Sequence, residues 1–383
     1  MNRWVTVGLA VVLGASASGA LQAQAVPKVK VQVGTQPQVK GAPKAVAVPK
    51  AAEAPKAAQP DTLEAINAEF EKALKAIEST RLQRLDQLAQ RQPPEQAAAT
   101  QEFLLRTAIQ SGLFVEAEPI AQRLLTQKGL SATNGWLAVF VDMMAKAKRG
   151  AYEDSLNTLV AMVHHNEEVK AANPEQRLNA LIPETQRISL IDAYYQVLVQ
   201  ADQFATARKA MALLKEKTES TIIRQMVTSR LHQLDLVGKA APPIVGTCID
   251  GKAVDLANLK GDVVVVAFWA TWSLPSAEEV EFFEEVYHKN KARGLKVIAV
   301  NVDAMQEGGV DVATVLPAVR RFTLAKNVDW PVLMNQAGEA NYAAAYGVSE
   351  VPASVVIDRQ GKVAHLDLHR ANLEKKVLEE LAR

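Results

Sequence analysis

Asp262-Val-Val-Val-Val-Ala-Phe268, running straight into Trp269-Ala-Thr-Trp-Ser-Leu-Pro-Ser276, decides how the C-terminal 40% of this chain folds. A continuous apolar run of this kind is what a parallel strand buried on both faces requires, whereas a half-exposed strand would alternate. The residues after Ser276 put Val280, Phe283, Val286 and Tyr287 on one side of a helix. Leu295-Lys-Val-Ile-Ala-Val-Asn-Val302 then reads as a second central strand, which completes a strand–helix–strand unit with a right-handed crossover. Downstream come Trp330-Pro331-Val-Leu333, Gly347-Val-Ser-Glu-Val351-Pro352-Ala353 and a strand over Ser354-Val-Val-Ile-Asp358. Gly361 marks a turn, residues 362–368 another strand, and Leu373, Val377 and Leu381 the inner face of a terminal helix.

Further motifs flank this unit: Gly238-Lys-Ala-Ala-Pro242 at the entry, the Asp250-Gly251-Lys252 turn, Leu256-x-x-Leu259-Lys-Gly261, and Ile357-Asp-Arg-Gln-Gly361-Lys362. In this order the set resembles the thioredoxin superfamily, specifically its exported TlpA/ResA-like thiol–disulfide oxidoreductases. The resemblance covers residues 237–383 and implies an α/β domain with a mixed central sheet flanked by helices. It also implies that the Val351–Pro352 peptide bond is cis and faces the 273–276 turn, where the backbone before the proline pairs with an extended substrate segment. Trp272, Leu274 and Pro275 would then border a polypeptide-binding groove with Val351 and Pro352.

The departure from that family lies at its centre. Cys-x-x-Cys is expected after Trp272, and Ser273-Leu-Pro-Ser276 stands there. The family's chemistry needs a thiolate at a helix N-terminus to attack a disulfide and a second thiol to resolve the product. A serine hydroxyl does neither, so Ser273 and Ser276 are degenerate positions. Ala267, in the preceding strand, offers no buried acid. Cys248 is the chain's one cysteine, which excludes an intrachain disulfide, and it falls in the strand before the Asp250-Gly251 turn as a structural residue. These features predict a redox-inactive thioredoxin-like protein that binds or scaffolds other proteins through the proline groove and a helical domain. The alternative, of a different class, is a thiol–disulfide oxidoreductase or antioxidant protein using Cys248 with an external thiol. Serine hydrolysis has no support: there is no Gly-x-Ser-x-Gly elbow, and Ser276-Ala-Glu-Glu279 reads as a helix-capping box with Pro275 in the first turn. His365, Asp367 and His369 alternate on one strand face and read as a solvated face rather than a metal site. No cofactor is expected.

Residues 61–236 are helical in pattern, and together they predict an all-α array ahead of the α/β domain. Leu63, Ile66, Phe70, Leu74 and Ile77 mark one face of a long first helix that Pro93-Pro94 stops. A motif then recurs: Gly112-Leu-Phe114-x-x-Ala117, Gly150-Ala-Tyr152-x-x-Ser155 and Asp202-Gln-Phe204-x-x-Ala207, each followed by a large apolar residue ten beyond the aromatic. The region weakly resembles tetratricopeptide helix pairs, although the spacings depart from their period. Adjacent His164 and His165 point to different sides of a helix and cannot share a metal.

The N-terminus has the form of a targeting segment. Arg3, a mostly apolar run from Trp4 to Leu13, and the small-residue endings at Ala23 and Ala25 predict a signal peptide over 1–25 and a chain exported to the periplasm or cell envelope. Residues 26–60 carry six prolines, six lysines and one glutamate, a composition that predicts a semi-rigid tether able to touch cell-wall polymer or another anionic surface. With 43 Lys+Arg against 42 Asp+Glu there is no field to attract nucleic acid. No apolar stretch in the mature chain reaches the length of a membrane span. The expected partner is an extracytoplasmic protein or peptide.

Overall fold

A computed structural model describes residues 63–305 and 309–383, so the signal and tether segments lie outside the described residues. Helices come first: α1 (Leu63–Ala89), α2 (Pro94–Gln110), α3 (Phe114–Leu125), α4 (Ala132–Lys148), α5 (Tyr152–Ala172), α6 (Leu178–Leu181), α7 (Glu184–Gln200), α8 (Phe204–Lys217) and α9 (Thr221–Leu236). The three recurring motifs are three tight turns. Gly112, Gly150 and Asp202 each sit in the left-handed region, at φ 65°, 84° and 56°. The next residue's N–H reaches back to a carbonyl five positions earlier (Leu113 to Ala108, Ala151 to Lys146, Gln203 to Leu198), which satisfies the ending helix. The aromatic starts the following helix, and Ala117, Ser155 and Ala207 are fully buried where only a small side chain fits. Ser155 also donates to the Met143 carbonyl at 2.8 Å, so its hydroxyl is not orphaned there. Among the described residues one expected face stays exposed: Ile66, Phe70, Leu74 and Ile77 on α1 are 40–65% exposed. Their spacing specifies a helix, and a helix with that spacing needs a separate partner to bury it.

The α/β part contains β1 (Val245–Thr247), β2 (Ala253–Asp255), β3 (Val263–Trp269), α10 (Leu274–Asn290), β4 (Leu295–Asn301), α11 (Val312–Ala325), β5 (Val332–Met334), α12 (Tyr342–Ala345), β6 (Ala353–Ile357), β7 (Val363–Leu366) and α13 (Arg370–Leu381). Five strands form one sheet in the order β5-β4-β3-β6-β7, with β3, β4 and β5 parallel and β6 and β7 antiparallel to their neighbours. All seven residues of β3 are buried, as its unbroken apolar run requires. Val263, Val265, Ala267 and Trp269 pack on one face with Val280 and Phe283 of α10, Val319 of α11 and Leu373 of α13. Val264, Val266 and Phe268 face the other way, with Tyr342 and Tyr346. That second face belongs to the same core as the helices 78–236, and α7 and α9 both contact β7. The chain crosses without a spacer: just after α9, Gly238 donates to the Val363 carbonyl at 2.8 Å.

Candidate functional site

β3 delivers the chain to a turn that is built rather than loose. The Asp303 carboxylate accepts from the Thr271 N–H at 2.8 Å and from its hydroxyl at 2.5 Å, and Asn301 holds Asp303 in turn. Ser273 is the N-cap of α10, with extended backbone (φ −96°, ψ 107°) and an oxygen that accepts from the Ser276 N–H at 3.4 Å. Pro275 lies in the first turn. The expected capping box is therefore one turn displaced: Ser273 caps, while Ser276 is fully buried with a hydroxyl that has no partner. Both serines occupy the position where the helix N-terminus favours negative charge. Trp272 and Leu274 stand out beside them, 39% and 73% exposed.

The Val351–Pro352 bond is cis. Ala353 lies opposite Phe268 in the β3/β6 register, so Pro352 comes level with Trp269 and Val351 with Ala270, at the mouth of the serine turn. Trp272, Leu274 and Pro275 follow β3, and Val351 and Pro352 precede β6, at the same end of that antiparallel pair. α10 carries a buried acid of its own. Glu279, one turn along α10 from Ser276, is buried, with one oxygen unpartnered and the other 3.4 Å from His369 Nδ1. Burial alone would lower the His369 pKa, but the bond to Glu279 and its charge raise it above the ordinary imidazole value.

Cys248 is in a different place. It follows β1 rather than lying in it, and its side chain is buried. The neighbouring Ile249 N–H bonds to the Val332 carbonyl on β5, and Val332 pairs through Ala299 to Ala267. Two strands therefore separate Cys248 from β3, a distance of about 15 Å at strand spacing. Burial and, next, the Asp250 carboxylate raise its pKa, against weaker opposing effects of a Val332 backbone bond and Lys252. The thiol is mostly protonated at neutral pH.

This geometry has close relatives. Residues 237–366 match the AhpC/TSA family. They fold as a thioredoxin-like domain. The domain is 35% identical over 127 residues to the thiol-disulfide oxidoreductase ResA of Bacillus thuringiensis subsp. konkukian, covering 33% of this chain and 66% of that protein. It is 31% identical over 126 residues to ResA of Bacillus subtilis, covering 33% and 64%. The match thus spans slightly less than two thirds of these relatives' own length. Among solved structures, a putative thiol:disulfide interchange protein DsbE from Chlorobium tepidum aligns at 29% identity, covering 38% of this chain and 94% of that one, with a TM-score of 0.31.

These relatives correct the expectation of a redox-inactive scaffold. The proteins that match the thioredoxin-like domain are named thiol-disulfide oxidoreductases, which favours the alternative reading over a redox-inactive scaffold. The serine substitutions stand as observed.

The sequence did not reveal what holds the thioredoxin-like domain against the helices. Arg230 of α9, 5% exposed, lies 2.6 Å from Asp192 of α7, 3.0 Å from Asp367 and 3.6 Å from Glu350, with its guanidinium 4.7 Å over the Tyr195 ring. Three carboxylates surround one cation. Burial, reinforced by Asp192 and Asp367, pushes Glu350 up to about 7 despite the opposing pull of Arg230. Glu350 immediately precedes the Val351–Pro352 pair. His365, Asp367 and His369 do not share a face. Asp367 has left β7 with φ 45°, His365 bonds Asp202 at 2.7 Å and Glu380 at 3.1 Å, and His369 turns to Glu279. They were legible only as an alternating pattern because the partners lie 15 to 163 positions away. Among the described residues no group of three or more His, Cys, Asp or Glu could hold a metal ion, and no helix is long and apolar enough to cross a membrane.

Proposed function

We propose that this chain is an exported protein of the cell envelope that takes part in thiol–disulfide exchange, with Cys248 as its own sulfur and an external thiol as the second. The observation that carries this reading is the identity to proteins named thiol-disulfide oxidoreductases across the very domain that contains Cys248. In the first step the Cys248 thiolate attacks one sulfur of an external disulfide. A new S–S bond forms, the old one breaks, and the departing thiolate takes up a proton. An external thiolate then attacks the mixed disulfide, restores Cys248 and leaves with the other half oxidised. The net of these two steps exchanges one external thiol for one half of the disulfide. A second external thiolate then attacks the mixed disulfide just released, frees its remaining half as a thiol and leaves joined to the first external thiol, so that one disulfide is reduced as two external thiols are oxidised.

Burial sets the rate. Cys248 is reached by opening the β1–β2 hairpin, which is held by its own pairing, by the Ile249–Val332 bond, and by Tyr342 and Arg320 donating to the Val245 and Ile249 carbonyls. Since the thiol's pKa is raised, exchange is slow at pH 7 and accelerates as the pH climbs past the ordinary thiol range near 8.5. Trp272, Leu274, Pro275, Val351 and Pro352 supply a separate groove for an extended segment of an extracytoplasmic polypeptide. A segment of about five extended residues bridges the roughly 15 Å from β3 to Cys248.

The test is glutathione-dependent reduction of a disulfide-bearing peptide by the full chain, compared with Cys248→Ala at pH 7 and pH 9. The proposal predicts a rate above background that rises with pH and disappears in Cys248→Ala. Equal rates for the two proteins would overturn it.

A further inference from the structure

The helical region contains a cavity unrelated to either sulfur chemistry or the proline groove. It lies among α4, α5, α7 and the start of α9 and opens to solvent. Its interior, about 100 Å³, is a narrow slot well below the roughly 300–1,000 Å³ of a drug-sized site. Its walls are apolar, with Phe140, Leu159, Met162, Leu190, Ile191 and Tyr194 among them.

Two guanidinium groups border this slot. Arg187 donates to the Asn179 side-chain oxygen at 2.7 Å, and Arg177 donates to Glu219 at 2.8 Å. The buried Nε of each has no hydrogen-bond partner. Arg187 is the less compensated of the two, since no carboxylate lies within 4 Å of it among the described residues. Burial lowers its pKa more than Glu184 and Glu219 restore it. The desolvation of this cation is offset only in part by those two carboxylates, and a guanidinium whose hydrogen-bonding capacity is not filled favours a carboxylate partner.

We propose that this slot binds a medium-chain carboxylate, a single alkyl chain with an anionic head, as a ligand site separate from the thiol chemistry. The alkyl chain lies along Leu159, Met162, Leu190 and Ile191, and the head meets Arg187, with Arg177 beside it. One chain suits the slot's narrow interior, and the carboxylate adds to the compensation that Glu184 and Glu219 give Arg187 only in part. Lys217 at the lining adds to the positive side, against Glu167 and Glu219.

Isothermal titration of the full chain with decanoate, below the concentration at which it forms micelles, tests this directly. The expected result is saturable binding of one decanoate per chain, with 1-decanol and decylamine at least tenfold weaker. Arg187→Gln should weaken decanoate at least tenfold while leaving decanol unchanged, and Ile191→Trp, which fills the slot, should abolish both, with circular dichroism confirming that each variant is folded. The wild-type comparison stands even if a variant fails to fold. The absence of saturable binding would overturn the proposal. So would decanol binding as tightly as decanoate, or displacement of decanoate by an apolar peptide with a blocked C-terminus at equal affinity.

Discussion

The Ser273–Ser276 turn and the Cys248 hairpin hold apart two things that thiol–disulfide chemistry ordinarily brings together. At the serine turn every backbone element is present: the N-cap, the proline in the first turn, the cis Val351–Pro352 bond alongside and an exposed apolar rim. It has no sulfur. At the hairpin there is a sulfur, but it is buried, its pKa is raised, and no helix begins there to stabilise a thiolate. The contrast shows that site geometry and site reagent are encoded separately. The turn depends on a strand end, an Asp303 clamp and a helix start, and all of these tolerate oxygen in place of sulfur.

The largest expected effect comes from removing what braces the serine turn's neighbour. Arg230→Ala leaves Asp367 buried and unpaired and frees Glu350 beside the proline loop. Chemical denaturation should show a loss of about 3–5 kcal/mol. A loss below about 1 kcal/mol would mean that the three carboxylates do not depend on this cation. Next, Ser273→Cys with Ser276→Cys should form a disulfide under mild oxidation and raise disulfide reductase activity roughly a hundredfold, about 3 kcal/mol in rate terms. The helix N-terminus that lowers the first thiol's pKa is already in place. New cysteines that stay free under oxidant would show that the turn has lost active-site spacing, and the contrast between the two regions would fail with it.

Acidity gives a smaller effect. Glu350 in the folded chain holds its proton up to about pH 7, whereas an unfolded glutamate releases it near 4.3. Between these values the folded state binds the extra proton, so stability falls as the pH rises from about 5 to 8. Raised Asp367 and His369 pKa values act with the same sign. The melting temperature should be lower at pH 8 than at pH 5.5, and Glu350→Gln should shrink the difference; an unchanged difference would remove Glu350 from the account. Smallest is Ser273→Ala, which loses an N-cap whose bond is long at 3.4 Å and should cost about 0.5–1 kcal/mol.

Much of this was legible in the sequence where the signal is local. The unbroken Val263–Phe268 run specified a doubly buried strand, and Gly112, Gly150 and Asp202 each marked a left-handed turn because few other residues accept that conformation. The N-cap was misplaced by one turn because Ser273 and Ser276 both suit the role, and only backbone angles distinguish them. Arg230 with Asp192, Glu350 and Asp367, and His365 with Asp202 and Glu380, were invisible because no periodicity relates residues brought together by packing between a helical array and a sheet edge. The position of Cys248 was hidden for the same reason. Its distance from Ala267 is set by strand order, and the sequence does not state that β4 and β5 intervene.

The central claim, that Cys248 is the working sulfur, is tested most directly by trapping its mixed disulfide. The full chain is held in glutathione disulfide under native conditions at pH 8.5, quenched with acid, digested and read by mass spectrometry. The account predicts one glutathione on the peptide carrying Cys248, accumulating slowly, faster at higher pH and released by added thiol. A Cys248 that stays unmodified until the protein is unfolded would contradict it.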